Sequence, residues 1–343
     1  MTTPSNQISH YVHYFKTIGV TSNQPVGRGF SAPVDISINH RTDRIYVLNR
    51  GKPQLNRIGV CNLDEEYLFE FSKNGNSPGE FLRGTGIAIN SQGNVFLTDE
   101  ELNKIIVWSE NGEFLTQWGS TGSDPGQLNG PGGIAIDSSD NIFITDQNNH
   151  RIQKFNPHGE FLATFGTFGN DYGQLNMPWG IHISPDNHIW VADWRNDRIQ
   201  KFTMDGKFIL SFGESGNEEG QFYRPSGVTV DNQNNVYVSD WGNERVQILS
   251  EHGSHIQTLR GEATLSKWAN EFLEANLDEK RTRAISNLKP DLPSHLNSPY
   301  LISSQTEEYF WSPTSVNLDS EGKLYVTESS RHRIQIYKPN NLK

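Results

Sequence analysis

Read for its apolar positions, the chain breaks into short runs in which Val, Ile, Phe, Tyr and Trp alternate with small or polar residues. Half-buried strands need this pattern. Between residues 133 and 166 the runs are GIAID (Gly133–Asp137), NIFITD (Asn141–Asp146), RIQKF (Arg151–Phe155) and EFLATFG (Glu160–Gly166). The pieces between them, SSD, QNNH and NPHG, carry the Asn, Asp and Gly that tight turns favour. The pattern predicts four short antiparallel strands.

That unit recurs. FLRGTGIAI from Phe81, LNGPGGIAI from Leu128, LNMPWGIHI from Leu175 and FYRPSGVTV from Phe222 align without gaps, each start 47 residues after the last. Two diverged copies flank them, FSAPVDISI from Phe30 and FWSPTSVNL from Phe310. A basic residue keeps the same beat at Arg57, Lys104, Arg151, Arg198, Arg245 and Arg333. Four strands repeated at about 40–50 residues describe a β-propeller blade. The count is six, and the last copy stops after its third strand, RIQIYKP. The N-terminal piece His13–Gly29 matches the fourth-strand pattern, so both chain ends are expected to share blade six. Closing the ring removes free sheet edges. The expected fold is all-β, a single six-bladed propeller domain over 11–343.

The segment PGGIAIDSSDNIFITDQNNHRIQKFNPHGEFLATFG and its neighbours resemble the NHL repeat family, whose letters correspond here to Asn149, His150 and a neighbouring Leu or Ile. The resemblance covers nearly the whole chain apart from one insertion and implies a six-bladed propeller. It implies no single function, since the family includes RNA-binding, protein-binding and lyase members.

In a repeat protein the irregular positions are the better candidates for function. Phe310 follows Phe222 by 88 residues, 41 more than one period, and the extra material spans 261–309. Within it, ATLSKWANEFLEANL sets Leu265, Trp268, Ala269, Phe272 and Leu273 on one helical face. DEKRTR is charged, and Pro290 and Pro293 favour an extended arm. We expect one or two short helices and an arm, either decorating the rim or lying as a lid on the upper face, where turns between second and third strands lie. Trp179, Trp194, Trp241 and Trp311 fall on that face in the same sector. Such aromatics make an apolar pocket or partner-binding patch, or cap the insertion as a small core. Equivalent positions hold Arg50, Glu100, Gln147 and Ser329.

A second irregular group lies across the ring closure. Asp35 stands where other copies have Gly86, Gly133, Gly180 and Gly227. Asn49 and Glu328 replace Asp99, Asp146, Asp193 and Asp240, with Arg50, Lys52 and Arg331 close in sequence. These side chains could orient a charged ligand or form a paired network. His182 falls in a first strand, where it either reaches the channel or is a structural residue.

Composition narrows the classes. The chain has 343 residues, net charge -11 and one cysteine, Cys61. An internal disulfide and cysteine-based zinc modules are excluded. No stretch reaches the roughly 18 apolar residues of a membrane helix. The opening MTTPSNQISHYVHYF has neither a basic nor an apolar region of a secretion signal. A cytoplasmic protein is the expectation. An acidic chain repels phosphate backbones unless its cations cluster. Arg50, Lys52, Arg83, Arg195 and Arg224 are diluted by acids, which disfavours nucleic acid.

Other spellings are absorbed by the repeat. GNSPG around Ser77 has the nucleophile-elbow spacing but aligns with the connectors GSDPG, GNDYG and GNEEG. His252 and His255 fall in the turn before a fourth strand, with no third ligand. The repeated Arg and Lys read as packing residues. The zinc-dependent amidating lyase of this architecture uses histidines where this chain has Val34, Thr85, Gly132, Trp179, Ser226 and Thr314, none able to ligate zinc, and no cofactor is named. Two readings remain foremost. One is a recognition module binding a small molecule or protein on the upper face through the four tryptophans, Arg195 and His182. The other is a lyase or hydrolase using Asp35, Glu328, Arg50 or Arg331 under the insertion. RNA binding is a third.

Overall fold

The computed structural model describes residues 11–24 and 26–340. Residues 1–10 of the opening stretch, Pro25, and residues 341–343 of the expected domain lie outside them.

Six four-stranded antiparallel sheets form the molecule. Blade one comprises Pro33–Asn39, Arg44–Asn49, Arg57–Cys61 and Tyr67–Phe71. Blade two comprises Gly84–Ile89, Val95–Asp99, Lys104–Trp108 and Phe114–Trp118. Blade three comprises Pro131–Ile136, Ile142–Asp146, Arg151–Phe155 and Phe161–Phe165. Blade four comprises Pro178–Ile183, His188–Asp193, Arg198–Thr203 and Phe208–Phe212. Blade five comprises Pro225–Val230, Val236–Asp240, Arg245–Leu249 and His255–Leu259. Blade six comprises Pro313–Leu318, Leu324–Glu328 and Arg333–Pro339, with Val12–Ile18 as its outermost strand. That strand pairs antiparallel with the third, from Val12 opposite Pro339 to Ile18 opposite Ile334. First strands of successive blades contact one another around a closed ring, blade six against blade one included.

The core is six clusters, one at each blade interface. The residue opening each repeat motif, Phe30, Phe81, Leu128, Leu175, Phe222 or Phe310, is buried as a peg between blades. At the axis the first strands approach closely. A Cβ on Gly133 would lie 2.6 Å from the Trp179 carbonyl oxygen, so only glycine fits there.

Polar staples join the blades. Arg151 Nε donates to Asp146 at 2.8 Å, and its other nitrogens donate to the Ser123, Asp124 and Gln127 carbonyls of the incoming connector. Arg198 and Arg245 repeat this arrangement with Asp193 and Asp240. The connector backbone thus finds partners inside the protein. Burial raises the carboxyls of Asp193 and Asp240, while backbone and side-chain donors offset part of that cost. The packing reading of the repeated arginines holds in these blades.

A second staple escaped the sequence reading. Asn56 of blade one donates to the Leu82 carbonyl at 2.8 Å, whereas in blades two to six the residue just before the third strand accepts a backbone N–H from the next blade. Asn103 takes it from Gly130 (2.7 Å), His150 from Met177 (3.1 Å), Asp197 from Arg224 (2.7 Å), Glu244 from Ser312 and His332 from Ala32 (2.7 Å). Among these five, residue identity varies while the role, a side-chain acceptor, does not.

The insertion leaves blade five after Leu259 and holds three helices: α1 (Lys267–Ala275), α2 (Leu277–Ile285) and α3 (Pro299–Gln305). Ser266 caps α1, accepting from Ala269 N at 3.0 Å. Of the predicted apolar stripe Trp268 is fully buried, whereas Phe272 is 52% exposed. Trp268 joins the cluster between blades six and one, edge-on to Phe30 at 5.7 Å. Its indole N–H donates to the Glu65 carbonyl, and the Glu65 carboxylate accepts the N–H groups of Lys267 (2.8 Å) and Trp268 (3.3 Å). So α1 is clamped to the rim at the seam where the chain ends meet. α3 packs near the short turn Trp241–Asn243 of blade five.

Candidate ligand site

Two rings of repeat positions converge where the channel opens on the upper face. The second residue of each first strand gives Val34, Thr85, Trp179, Ser226 and Thr314. The residue closing each second strand is followed by Arg50, Trp194, Trp241 or Ser329. Together with Ala32 and Ser312 they line a cavity of about 410 Å³. Blade three adds nothing to this lining. Its Gln147 folds over Gly132, where a Cβ would meet the amide nitrogen at 2.4 Å.

The indoles form one wall. Trp179 and Trp194 lie 5.8 Å apart at 44°. Two guanidiniums brace Trp194, Arg224 at 4.6 Å and Arg195 at 5.2 Å from the ring centre. Trp241 is 38% exposed. The hydroxyls are committed to backbone: Thr85 donates to the Pro131 carbonyl at 2.7 Å, Ser226 to Pro313 at 3.3 Å and Thr314 to Thr327 at 3.3 Å. Arg50 lines the cavity from blade one and donates to Glu100 at 3.3 Å, while Arg83 pairs with the same carboxylate at 2.7 Å.

Trp311 is not among the lining residues. It packs edge-on against Tyr300 of α3 at 5.8 Å, with Arg331 over its ring at 5.2 Å. Arg331 donates to the carbonyls of Ser303 (2.8 Å), Ser304 (3.2 Å) and Thr306 (3.1 Å). A cation on the last carbonyls of α3 satisfies groups the helix leaves unpaired. Trp311 and Arg331 therefore seat the insertion. No insertion residue lines the cavity. α1 takes the rim position expected of a decoration, and α3 stands beside the mouth.

The carboxylates weighed for chemistry occupy two different environments. Glu328 is fully buried and accepts from Arg333 (2.8 Å), Gln335 (2.8 Å) and the Trp311 backbone (3.2 Å). It does in blade six what Asp146 does in blade three. Asn49, neutral in the same position, accepts from Ser31 N at 2.8 Å, and Arg57 pairs with Glu70 at 3.0 Å instead. Asp35 lies below the mouth, at a constriction of about 70 Å³. It accepts from Ile36 N (2.9 Å), Ile87 N (3.0 Å) and Asn317 (3.3 Å), bridging blades one, two and six. Burial pushes its carboxyl up to about 6 against those donors. His182 shares the constriction and has Thr229 at 3.4 Å. Burial drops its ring to about 4, so it is neutral at pH 7. Arg50, Asp35, Glu328 and Arg331 therefore do not converge on one centre. Arg50 faces the mouth, Asp35 the waist, and the other two the blade and insertion packing.

The opposite channel mouth holds a larger cavity, about 720 Å³, which sequence reading missed. Its acids are occupied. Asp231 accepts from Tyr11 (2.8 Å), Tyr237 (3.1 Å) and the Gln233 and Asn235 backbones, and Asp319 from Tyr325 (3.1 Å) and the Glu321 and Lys323 backbones. His255 pairs with Glu219 at 3.3 Å and Thr258 at 2.8 Å. Among the described residues no three His, Cys, Asp or Glu side chains converge as metal ligands. No helix there is long and apolar enough to cross a membrane.

The NHL repeat matches residues 128–155, 175–202, 222–249 and 310–337. No curated protein matches by sequence. Among solved structures, a streptogramin B lyase is 16% identical, with 97% of this chain and 100% of that chain covered and a TM-score of 0.58. A catalytically inactive virginiamycin B lyase from Staphylococcus aureus with quinupristin is 18% identical, with 96% and 89% covered and a TM-score of 0.56. The WD40 propeller domain of Doa1 is 14% identical, with 92% and 81% covered and a TM-score of 0.53. At such identities the likeness is one of fold. Repeat matches in blades three to six and the closed ring of six sheets lead to one conclusion: the chain carries four NHL repeats and folds as a six-bladed β-propeller.

Proposed function

We propose that the chain is a recognition module that holds a small molecule or a side chain of a protein partner in the upper-mouth cavity. The observation that carries this reading is the convergence of Trp179, Trp194 and Trp241 on one cavity of about 410 Å³, at repeat positions that elsewhere hold small or polar residues. Trp194 is held between Trp179 and two guanidiniums, so its ring is ordered before a ligand arrives. Preorganised aromatic surface lowers the entropic cost of binding. The lyase neighbours keep an enzyme reading in view. For this chain, however, Glu328 and Arg331 are already engaged in packing, which favours recognition over catalysis by that set.

The test is a ligand screen by thermal shift on wild type and on Trp194→Ala/Trp241→Ala. Compounds that raise the wild-type melting temperature should leave the double variant unshifted, with its circular dichroism unchanged. Equal shifts in both proteins would place binding elsewhere and reject the proposal.

A further inference from the structure

The donors and acceptors of the upper mouth are unbalanced. No carboxylate of the described residues lines the cavity. The hydroxyls of Thr85, Ser226, Thr314 and Ser329 spend their hydrogens on backbone carbonyls, while that of Ser312 accepts from Ser330. No described residue accepts from the indole N–H groups of Trp179, Trp194 and Trp241, and behind Trp194 the buried Arg224 Nη1 has no partner among the described residues. Arg50 spends one hydrogen bond, on a carboxylate it shares with Arg83. Among the described residues of the lining Arg50 is thus the one charged side chain, set opposite an aromatic wall. A cage for a cation would need the reverse, aromatic faces with carboxylates and no guanidinium.

We propose that this cavity binds an amphipathic anion: a flat apolar body of about naphthalene size, carrying one carboxylate. The body lies against Trp179, Trp194 and Trp241, and the carboxylate is held by Arg50 across the mouth. A guanidinium meets a carboxylate with paired, charge-assisted hydrogen bonds, which fixes the orientation of the body. The cavity volume lies at the small end of the range for small-molecule sites. This inference rests on the recognition reading and adds the ligand's charge and shape.

The experiment titrates the full chain calorimetrically with 2-naphthoate, 2-naphthamide and 2-naphthylmethylamine. Naphthoate should bind at least tenfold more tightly than the amine. Arg50→Gln should reduce the naphthoate preference about tenfold or more and leave the amide unchanged, and Arg50→Lys should restore part of it. Because Arg50→Gln leaves Glu100 with Arg83 as its one ion-pair partner among the described residues, Arg50→Gln/Glu100→Gln is measured beside it to separate loss of the cation from gain of an acid. Trp194→Ala should weaken all three probes. An amine that binds as well as the acid, or an acid indifferent to both Arg50→Gln proteins, overturns the anion inference while Trp-dependent binding upholds the recognition reading. Failure of all three probes, or binding untouched by Trp194→Ala, overturns both.

Discussion

At four of the six blade interfaces the outer rim is closed the same way. Phe71, Trp118, Phe165 and Phe212, near the ends of fourth strands, lie on the glycine of the next blade's outer turn. A Cβ there would come within 2.6 Å of the ring at Gly112 and Gly159, 2.5 Å at Gly206 and 2.6 Å at Gly253. Between blades six and one the parts are exchanged. Ile18 stands in the aromatic's place, opposite Ile334 as Phe165 is opposite Ile152. Glu65, with φ +58°, stands in the glycine's. The missing ring comes from the insertion, as Trp268. Regular interfaces are thus built from strand neighbours, while the seam that unites the chain ends is built from a helix some 200 residues away in sequence, the separation of Glu65 and Trp268 being 203. The insertion's strongest contacts secure closure of the ring and leave the mouth open to the three indoles.

The sharpest way to break that comparison is to remove the two rings in parallel. Trp268→Ala, at a fully buried site, should cost about 3–5 kcal/mol. Trp118→Ala, at a half-buried site on a regular interface, should cost about half as much on the area it covers, roughly 2 kcal/mol. Urea melts measure both. Hydrogen exchange should show Val12–Ile18 losing protection in Trp268→Ala alone. Equal costs, or an undisturbed N-terminal strand, would mean that α1 merely decorates the rim.

The ring of six blades was legible because a gapless 47-residue repeat leaves little freedom in strand count or order. The mouth was legible for a related reason: Trp179, Trp194 and Trp241 stand out against residues at identical beats. The path of the insertion was not. Helical spacing identifies an apolar face but carries nothing about its partner, and Trp268 was grouped with Phe272, which turned out exposed. A signal was nevertheless present, in a turn with Glu65 where its siblings have glycine and a strand end with Ile18 where they have an aromatic. Glu328 was misleading for the opposite reason. It looked irregular by residue type, yet a longer carboxylate performs the same bonding as Asp146. The acceptor series Asn103, His150, Asp197, Glu244 and His332 was hidden because its members share only a lone pair in the right place.

That series makes the two flanks of blade six respond to pH with opposite sign. On the blade-five side, burial pushes the Glu244 carboxyl up to about 7, opposed by Ser312 N and Arg260, with Glu328 adding to the rise. The protonated acid is the better-tolerated form. Its contribution is full below the ordinary carboxylate range and is lost as pH rises through about 7. Glu244→Gln keeps an oxygen for Ser312 and removes the buried charge. The variant should gain about 2 kcal/mol at pH 8 and nothing at pH 4. Denaturant melts across that range would test it, and a loss at pH 8 would mean that the charged form stabilises the flank.

On the blade-one side the smallest effect is expected, and it runs the other way. His332 Nδ1 accepts from Ala32 N, so the ring is neutral with its proton on Nε2, and burial lowers its pKa. The unfolded chain takes up a proton near the ordinary histidine value while the native ring resists it. His332 therefore contributes fully above about 6.5 and loses that contribution as pH falls toward its lowered native value. His332→Gln replaces the acceptor with an amide oxygen that does not titrate. At pH 8 the change should cost about 1 kcal/mol or less, the net worth of one hydrogen bond. Below pH 6.5 the variant should lose stability less steeply than wild type. Combining it with His150→Gln, whose ring is also lowered by burial at an equivalent contact, should flatten the acid side further. If both variants follow the wild-type slope, the acid sensitivity belongs to carboxylates elsewhere in the ring. The two flanks of blade six would then differ only in the side chain that fills the same hydrogen bond.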